Sequence, residues 1–393
     1  MNLKTMIKDS LKILGYPILA KIADIKYRNY VLEDKVVFSS FSGRQYTDNP
    51  RIISEKLHEL FPEIKQRWLY RGSRADLPEY VEQVKWTRKK VQKALYTSKV
   101  WVDSHKKPVY INKRDDQYYV NTWHGGLCFK KIIGDVSDVS AVQNAMNHHN
   151  GEMTDVFISN SRWLSDLYRS SFFIKGKIWE IGYPKEDVFF RKDQEKIRQQ
   201  VLSYFNIDND CKLILYAPTC RKDHDTRYYD FDFGKMIDSV EKRYGGTWKL
   251  IIKLHPTRIM DSENLLCWNS RVINGSYFQD MQSLSLASDI YITDYSSGIF
   301  DFAVSFKPAF ILANDLQEYT EYNHGLYFNP RELPFPFSES IDELESQIKN
   351  FDYDQYKTNL NSFLDNNGVI RTDHSAEDIC YAINDFIKKG VKK

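Results

Sequence analysis

The sequence is short of the features that announce the common special cases. It has five cysteines, Cys128, Cys211, Cys220, Cys267 and Cys380, widely scattered and without a CxxC pair. That suits neither a disulfide scaffold nor a zinc finger, and it favours a reducing, cytoplasmic compartment. No run of about 18 uncharged apolar residues occurs, so no segment reads as a membrane span. Charges interrupt every candidate apolar core near the start, so no signal peptide is expected. Neither sign of charge is in excess, because 55 Lys and Arg against 53 Asp and Glu leave +2. Bulk charge therefore excludes a strongly basic nucleic-acid binder, and no interleaved aromatic and basic motif suggests RNA. GxxxxGK[ST], GxSxG and HExxH are all missing, which argues against a P-loop ATPase, an α/β-hydrolase and a zinc protease. There are no internal repeats and no low-complexity linker.

What is present is an ordinary globular balance, with 42% hydrophobic and 27% charged residues over 393 positions. That length accommodates two or three domains. Aromatic residues are plentiful, with 26 Tyr, 23 Phe and 8 Trp.

The first thirty residues form a stripe. Ile7, Leu11, Leu14, Ile18, Ile22 and Ile25 recur every three or four positions, and six basic residues oppose Asp9 and Asp24. This predicts a basic amphipathic helix over 1–30, broken into two pieces at Gly15 and Pro17. Such a helix either lies on an anionic membrane surface or packs on the domain with its lysines solvated.

After Tyr30, β-rich runs alternate with helical ones. Strands are expected at Lys35–Ser40, Arg67–Tyr70, Lys99–Ser104, Gln117–Trp123, Asp155–Ser159 and Lys177–Ile181, with helices at Pro50–Leu60 and Val81–Leu95. A second series, Lys212–Tyr216, Lys249–Lys253, Arg271–Ile273, Ile290–Thr293 and Ala309–Leu312, follows a boundary near Gly182–Pro184. The expected fold is α/β, GT-B-like, with two Rossmann-like domains (31–184 and 185–393) facing a central cleft. Ligands of such sheets bind beyond the carboxyl ends of the strands.

Four of those ends are unusual. Asn121-Thr-Trp-His-Gly-Gly126 places His124 and Gly125 after a strand, with an imidazole whose ordinary pKa suits proton transfer and a glycine that lets backbone approach a ligand. Taken alone, a strand-end histidine such as His124 is more often one satisfied within a turn. Tyr216-Ala-Pro-Thr-Cys-Arg221 offers Arg221 as a phosphate clamp. Lys253-Leu-His-Pro-Thr-Arg258 offers His255 and Arg258 to anionic oxygens. Thr293-Asp-Tyr-Ser-Ser-Gly298, with Asp301 beyond it, offers the Ser296 and Ser297 hydroxyls beside Asp294. No metal cluster of diagnostic spacing accompanies them. Asp223-His-Asp225 and Asp230-Phe-Asp232 resemble DxD metal pairs only superficially, in a polar loop.

In order along the chain, these motifs resemble the CDP-glycerol glycerophosphotransferase family, the teichoic acid primases and polymerases of bacterial cell walls. The matching residues are Ser42-Gly-Arg-Gln-Tyr-Thr-Asp-Asn-Pro50, Thr122-Trp-His-Gly125, Gly182-Tyr-Pro-Lys-Glu-Asp187, Tyr216-Ala-Pro-Thr219 with Arg221, Lys253-Leu-His-Pro256 with Arg258, Asp294-Tyr-Ser-Ser297 with Phe300-Asp301, and Gly325-Leu-Tyr-Phe328. The resemblance implies a peripheral enzyme at the cytoplasmic face of the membrane. It would move glycerol phosphate from CDP-glycerol to a hydroxyl of a lipid-linked, undecaprenyl-type acceptor and release CMP. His124 matches the family's base. His255, Arg258, Ser296 and Ser297 match positions that hold the donor pyrophosphate, and Arg221 and Asp301 match positions lining the donor site. No cofactor is implied. Gly126, Cys128 and Phe129 depart from the family pattern after the His-Gly pair, as do His324 and Asn329 around Gly325–Phe328. These departures leave open CDP-ribitol or another CDP-polyol as donor. A GT-B glycosyltransferase using a nucleotide-sugar and a catalytically silent scaffold are the competing readings.

Overall fold

The structure, a computed structural model, describes residues 3–136, 139–221, 231–255, 269–322 and 325–390. By contact the chain divides into two units: Met1–His124 with Ile132–Asp187 and Thr372–Lys393, and Gly125–Lys131 with Val188–Arg371. A division by position along the chain, at 184/185, therefore leaves out two exchanges. The segment after His124 belongs to the second unit, and the C-terminal residues return to the first.

The first unit is built on a sheet of β1 (Glu33–Ser39), β2 (Lys65–Tyr70), β3 (Val81–Lys85), β4 (Ser98–Asp103), β5 (Tyr118–Asn121), β6 (Val156–Ser159) and β7 (Lys177–Glu180), in the order β3-β2-β1-β4-β5-β6-β7. All its pairings are parallel. Alternate side chains feed two cores. On one face Val36, Phe38, Trp68, Val100 and Val102 pack with Ile53 and Leu57 of the helix Asp48–Leu60 and with Ile379, Ile383 and Ile387 of the helix Ser375–Lys389. On the other, Val37, Leu69, Trp101 and Tyr119 pack with Val91 and Leu95 and with Ala23 and Tyr27 of the first helix. Both faces are thus covered, as a parallel sheet requires. Asp187 secures the C-terminal helix by accepting the Ser375 and Ala376 N–H groups at 3.3 and 2.9 Å, which serves that helix as a cap supplied from elsewhere in the chain.

Two local expectations are corrected. Val81–Leu95 is not one helix but strand β3 followed by the helix Arg88–Tyr96. Val81 and Val84, three residues apart, imitate helical spacing in an edge strand too polar to alternate cleanly. The N-terminal stripe is a single helix, Leu3–Tyr27, with Pro17 inside it. Proline removes one N–H from the ladder, and the half beyond it is anchored by burial of Ala20, Ala23 and Tyr27.

The second unit carries β8 (Lys212–Tyr216), β9 (Trp248–Ile252), β10 (Val272–Asn274), β11 (Ile290–Thr293), β12 (Ala309–Leu312) and β13 (Phe337–Ser338), in the order β10-β9-β8-β11-β12-β13. This sheet too is parallel throughout. Its central strands are runs such as Leu213-Ile-Leu215 and Ile290-Tyr-Ile292, buried on both sides. Each sheet reverses its strand order once, between β1 and β4 and between β8 and β11, and crevices for ligands open at such reversals. Among the described residues no helix is long and apolar enough to cross a membrane.

Candidate active site

In the first unit the loops after β1, β4 and β5 meet at the carboxyl end of the sheet. His124 Nδ1 lies 2.7 Å from the Ser104 carbonyl oxygen. A carbonyl only accepts, so the proton sits on Nδ1 and Nε2 keeps its lone pair. The half-buried ring lies against Trp123 at 4.0 Å, Phe41 at 5.0 Å and His105 at 5.8 Å between centroids. Burial, the neighbouring His105 and the cations Lys185 and Lys106 lower its pKa to about 3, while the bond to Ser104 opposes them. The imidazole is therefore neutral in the unliganded protein.

The backbone around it is held under strain. Trp123 has φ of 49°, a left-handed conformation that costs a bulky residue about 1 kcal/mol or more. Its N–H donates to Asn121 Oδ1 at 2.9 Å, and the amide of buried Asn49 reaches the Thr122 and Trp123 carbonyls at 3.5 and 3.4 Å. The oxygen of Asn49 accepts the Lys185 N–H at 3.0 Å, and Lys185 Nζ donates to the His124 carbonyl at 3.0 Å. The Ser42–Pro50 and Gly182–Asp187 motifs thus clamp the His124 turn.

Sequence reasoning passed over the loop after β4. Asp103 and Lys107 form a buried ion pair at 2.5 Å, and Asp103 also accepts the His105 N–H at 2.8 Å. His105 Nδ1 accepts the Lys106 N–H at 2.7 Å, so its ring proton sits on Nε2, the opposite tautomer to His124. Burial and the cations Lys106, Arg44 and Lys107 lower its pKa to about 4. Lys106 donates to Asn147, and burial brings it down to about 8.

In the second unit, Arg221 is almost wholly buried and held by several partners. It meets Asp315 at 2.7 and 3.0 Å, Asp294 at 2.8 Å and the Thr219 carbonyl at 2.7 Å. Its guanidinium carbon lies 5.1 and 4.8 Å from the centroids of Tyr295 and Tyr319, rings that stack at 3.8 Å. Asp294 also accepts N–H groups from Thr219 and Tyr295 at 2.8 and 2.5 Å. Where the sequence offered a phosphate clamp, the structure has a buried knot that ties the loop after β8 to the loop after β11. Its third corner, Asp315, lies 94 residues from Arg221 and follows β12 in a segment with no motif to mark it. Asp301 is buried in the short helix Gly298–Ala303 and accepts from Gln282 at 3.1 Å.

The groups of this unit that reach solvent are different ones. His255 is exposed just past β9, its pKa lowered by the protein around it and by Lys130. Ser296 and Ser297 are half-exposed after β11. Lys130, half-buried, lies with its ammonium 5.7 Å from the Tyr319 centroid, and burial lowers it to about 8. It is carried by the strap Gly125–Lys131, which pairs with 325–327 through Lys131 N–H to Gly325 O at 2.8 Å and Tyr327 N–H to Phe129 O at 2.7 Å. Gly125 opens that strap and is buried. Arg258, Asp223, Asp225 and Asp230 lie outside the described residues. Asp232 caps the helix Phe233–Tyr244, and no group of three potential metal ligands occurs among the described residues.

A family model described as CDP-glycerol:poly(glycerophosphate) glycerophosphotransferase matches residues 22–384. The chain belongs to that family. A teichoic acid poly(glycerol phosphate) polymerase of Staphylococcus epidermidis is 30% identical over 373 residues, which are 91% of this chain and 51% of that protein. The chain thus spans about half of that relative's length. A polymerase of the same description from Bacillus spizizenii is 29% identical over 91% of this chain and 92% of its own length. Among solved structures, a His-to-Asn variant of the wall teichoic acid polymerase TagF soaked with CDPG superposes with a TM-score of 0.83. It has 26% identity and 98% coverage of both chains. This family member therefore has the GT-B-like fold expected from its motifs.

Proposed function

We propose that the chain transfers glycerol phosphate from CDP-glycerol to a hydroxyl of a lipid-linked acceptor in teichoic acid synthesis, releasing CMP, with His124 as general base. The observation that carries this reading is the Ser104–His124 bond, which leaves Nε2 as a proton acceptor at the strand-order reversal of the first sheet. The acceptor O–H gives its proton to Nε2, and its oxygen forms the new bond to the phosphorus bearing glycerol. The bond from that phosphorus to the cytidylyl oxygen breaks, and CMP leaves with the electron pair. A base at a pKa of about 3 is weak; burial depresses it most, and a bound phosphate would offset the further lowering by Lys185 and Lys106, so that bound substrate raises His124 toward working strength. His255, Arg258, Ser296 and Ser297 are assigned to the donor phosphates, where developing charge needs donors. Arg221, Asp294 and Asp301 are assigned to shaping that site and Gly125 to close backbone approach. No cofactor enters the proposal. The family description and the CDPG carried by the TagF variant support the glycerol donor over ribitol.

The test is CMP release from CDP-glycerol and, in parallel, CDP-ribitol, with a lipid-linked disaccharide acceptor. Acceptor-dependent CMP from CDP-glycerol, reduced about 10²–10⁴-fold in His124→Ala, is the expected result. No acceptor-dependent CMP from either donor, with folded protein, would sink the proposal.

We also propose peripheral contact with the cytoplasmic membrane face through the first helix. Ile18, Ile22 and Ile25 are 59%, 55% and 69% exposed, and the exposed Lys21, Lys26 and Arg28 lie among them. An apolar stripe flanked by cations on a helix whose other face is anchored suits an anionic lipid surface. Replacing Ile18 and Ile22 by Ser should weaken binding to anionic vesicles about ten- to hundredfold. Equal partitioning of the variant and the unaltered protein would refute the contact.

A further inference from the structure

We propose that Lys130 is a further phosphate-binding residue of the second unit, that its ammonium shares one anion with His255, and that this anion is the diphosphate of the nucleotide donor. The inference rests on the transfer reading above and adds to its donor site a residue that the motifs did not single out. The backbone comes first. Lys130 forms an antiparallel bridge with Leu326, flanked by the Lys131 N–H to Gly325 O and Tyr327 N–H to Phe129 O bonds at 2.8 and 2.7 Å. The strap is paired on both sides of this residue, so its side chain leaves from a fixed stem.

The charge comes second. The half-buried ammonium makes no hydrogen bond or ion pair among the described residues and lies 5.7 Å from the Tyr319 centroid. The carboxylates nearby are already engaged. Asp294, whose charge favours the ammonium, meets Arg221 and the Thr219 and Tyr295 N–H groups at 2.8, 2.8 and 2.5 Å. Asp315 meets Arg221 and accepts from the Tyr295 hydroxyl at 3.0 Å. Burial, more than any neighbour, brings Lys130 down to about 8, which still leaves it mostly charged at neutral pH. A cation drawn out of water without a counter-charge is unfavourable, and an entering anion removes that cost.

The neighbour identifies the anion. His255 stands just past β9 in the same unit, and after burial it is Lys130 that lowers its pKa. Two side chains able to carry positive charge therefore act on one space and oppose each other. A singly charged ligand offsets only one of them, whereas a diphosphate carries a charge on each phosphate and offsets both. As the bond to the cytidylyl oxygen breaks, its electron pair stays with CMP, and Lys130 stabilises the growing charge without giving up a proton. An ammonium on a flexible stem follows that oxygen as it moves.

The experiment measures donor binding without acceptor, by calorimetry with CDP-glycerol and CDP, for the unaltered chain, Lys130→Met and Lys130→Gln. Both variants keep most of the stem, and melting curves check that each is folded. The expected result is a loss of about ten- to hundredfold in affinity for both ligands, as for a hydrogen bond to a charged group. Affinity for cytidine, followed by ligand-observed NMR, should be unchanged, which a merely structural role of Lys130 would not predict. Unchanged affinity for CDP-glycerol in a folded variant, or an equal loss for cytidine, overturns the proposal. Acceptor-dependent CMP release by the unaltered chain is run in parallel to separate this idea from the transfer reading. Diphosphate binding that depends on Lys130 without any CMP release upholds the subsite and sinks the transfer reading. CMP release with donor affinity indifferent to Lys130 does the reverse, and failure of the unaltered chain to bind either diphosphate refutes the subsite.

Discussion

Arg221 separates a ligand-holding role from a structural one. Its side chain and those of Asp294 and Asp315 are each 2% exposed, and four hydrogen bonds to three polar partners join two tyrosine faces around the guanidinium. Replacing Arg221 by Met keeps volume but strands two carboxylates in a buried setting, a change that costs about 3–5 kcal/mol. For a folding unit of about 150–250 residues, each kcal/mol lowers the melting temperature about 2–4 °C, so the loss should be roughly 6–20 °C. Arg221→Lys should fall between, because an ammonium cannot reproduce a fork that meets both carboxylates and the Thr219 carbonyl. Adding Asp294→Asn and Asp315→Asn to Arg221→Met should recover part of the loss, since the stranded charges are then gone. Differential scanning calorimetry gives the melting temperatures, and equilibrium dialysis with CDP-glycerol gives donor affinity. If Arg221→Met melts within a degree or two of the unaltered protein while donor affinity collapses, the buried knot is misjudged and Arg221 touches substrate.

Two further outcomes follow from the loops of the first unit. Gly43 has φ of +76°, and a Cβ there would stand 2.2 Å from Trp86 Cε3 and 2.8 Å from the Leu69 carbonyl oxygen. Gly43→Ala should therefore cost more than about 1 kcal/mol in urea unfolding, and a neutral result would refute the tight loop. On the acid side, His124 and His105 have folded pKa values of about 3 and 4 against an ordinary 6.5. As pH falls below 6.5 the unfolded chain binds protons that the folded chain refuses, so each histidine removes up to about 1.4 kcal/mol of stability per pH unit until its folded pKa is reached. Asp187, raised by burial to about 6, acts oppositely over its own window, from about 6 down to 3.8. The clean readout is thus the difference between the unaltered protein and His105→Gln, which should lose up to about 2 kcal/mol less between pH 7 and 5. Parallel pH profiles for the two proteins would contradict the neutral, buried state of His105.

The strands of the second sheet were legible because buried parallel strands are short apolar runs: Lys212–Tyr216, Ile290–Thr293 and Ala309–Leu312 fall at the expected residues. His124, His255 and the Ser296–Ser297 pair were legible for a related reason, since each stands just past such a run. What escaped was whatever depends on a partner far along the chain. Arg221 looks like a clamp until Asp315 is brought to it, and the helix Ser375–Lys389 looks like part of the second unit until Asp187 caps it. His105 sits in Ser104-His-Lys-Lys-Pro108, which reads as solvated loop because nothing local shows that the Lys106 N–H will fix its tautomer. The N-terminal stripe was legible as a helix but not in its division of labour. Small Ala20 and Ala23 go inward beside Tyr27, while the larger Ile18, Ile22 and Ile25 remain outside, the reverse of what hydrophobicity alone selects.

The two strand-order reversals are surrounded by different groups. Near β1/β4, the loop after β5 brings in the neutral His124, and the loop after β4 carries His105, of opposite tautomer, with Lys106 beside it. At β8/β11 the cations that could have met ligand are partly withdrawn into the knot around Arg221, leaving His255, Lys130 and the serines at the surface. A phosphoryl transfer needs different things from its two substrates. The acceptor must lose a proton, and the donor must have growing negative charge stabilised as its leaving group departs. On the proposed role, His124 is held neutral first by burial and then by its cationic neighbours, and an anion that offset those neighbours would strengthen it as a base. If His124 is the base, the cations around it favour reaction with a complete set of substrates, because a bound phosphate would offset the part of the shift that they cause.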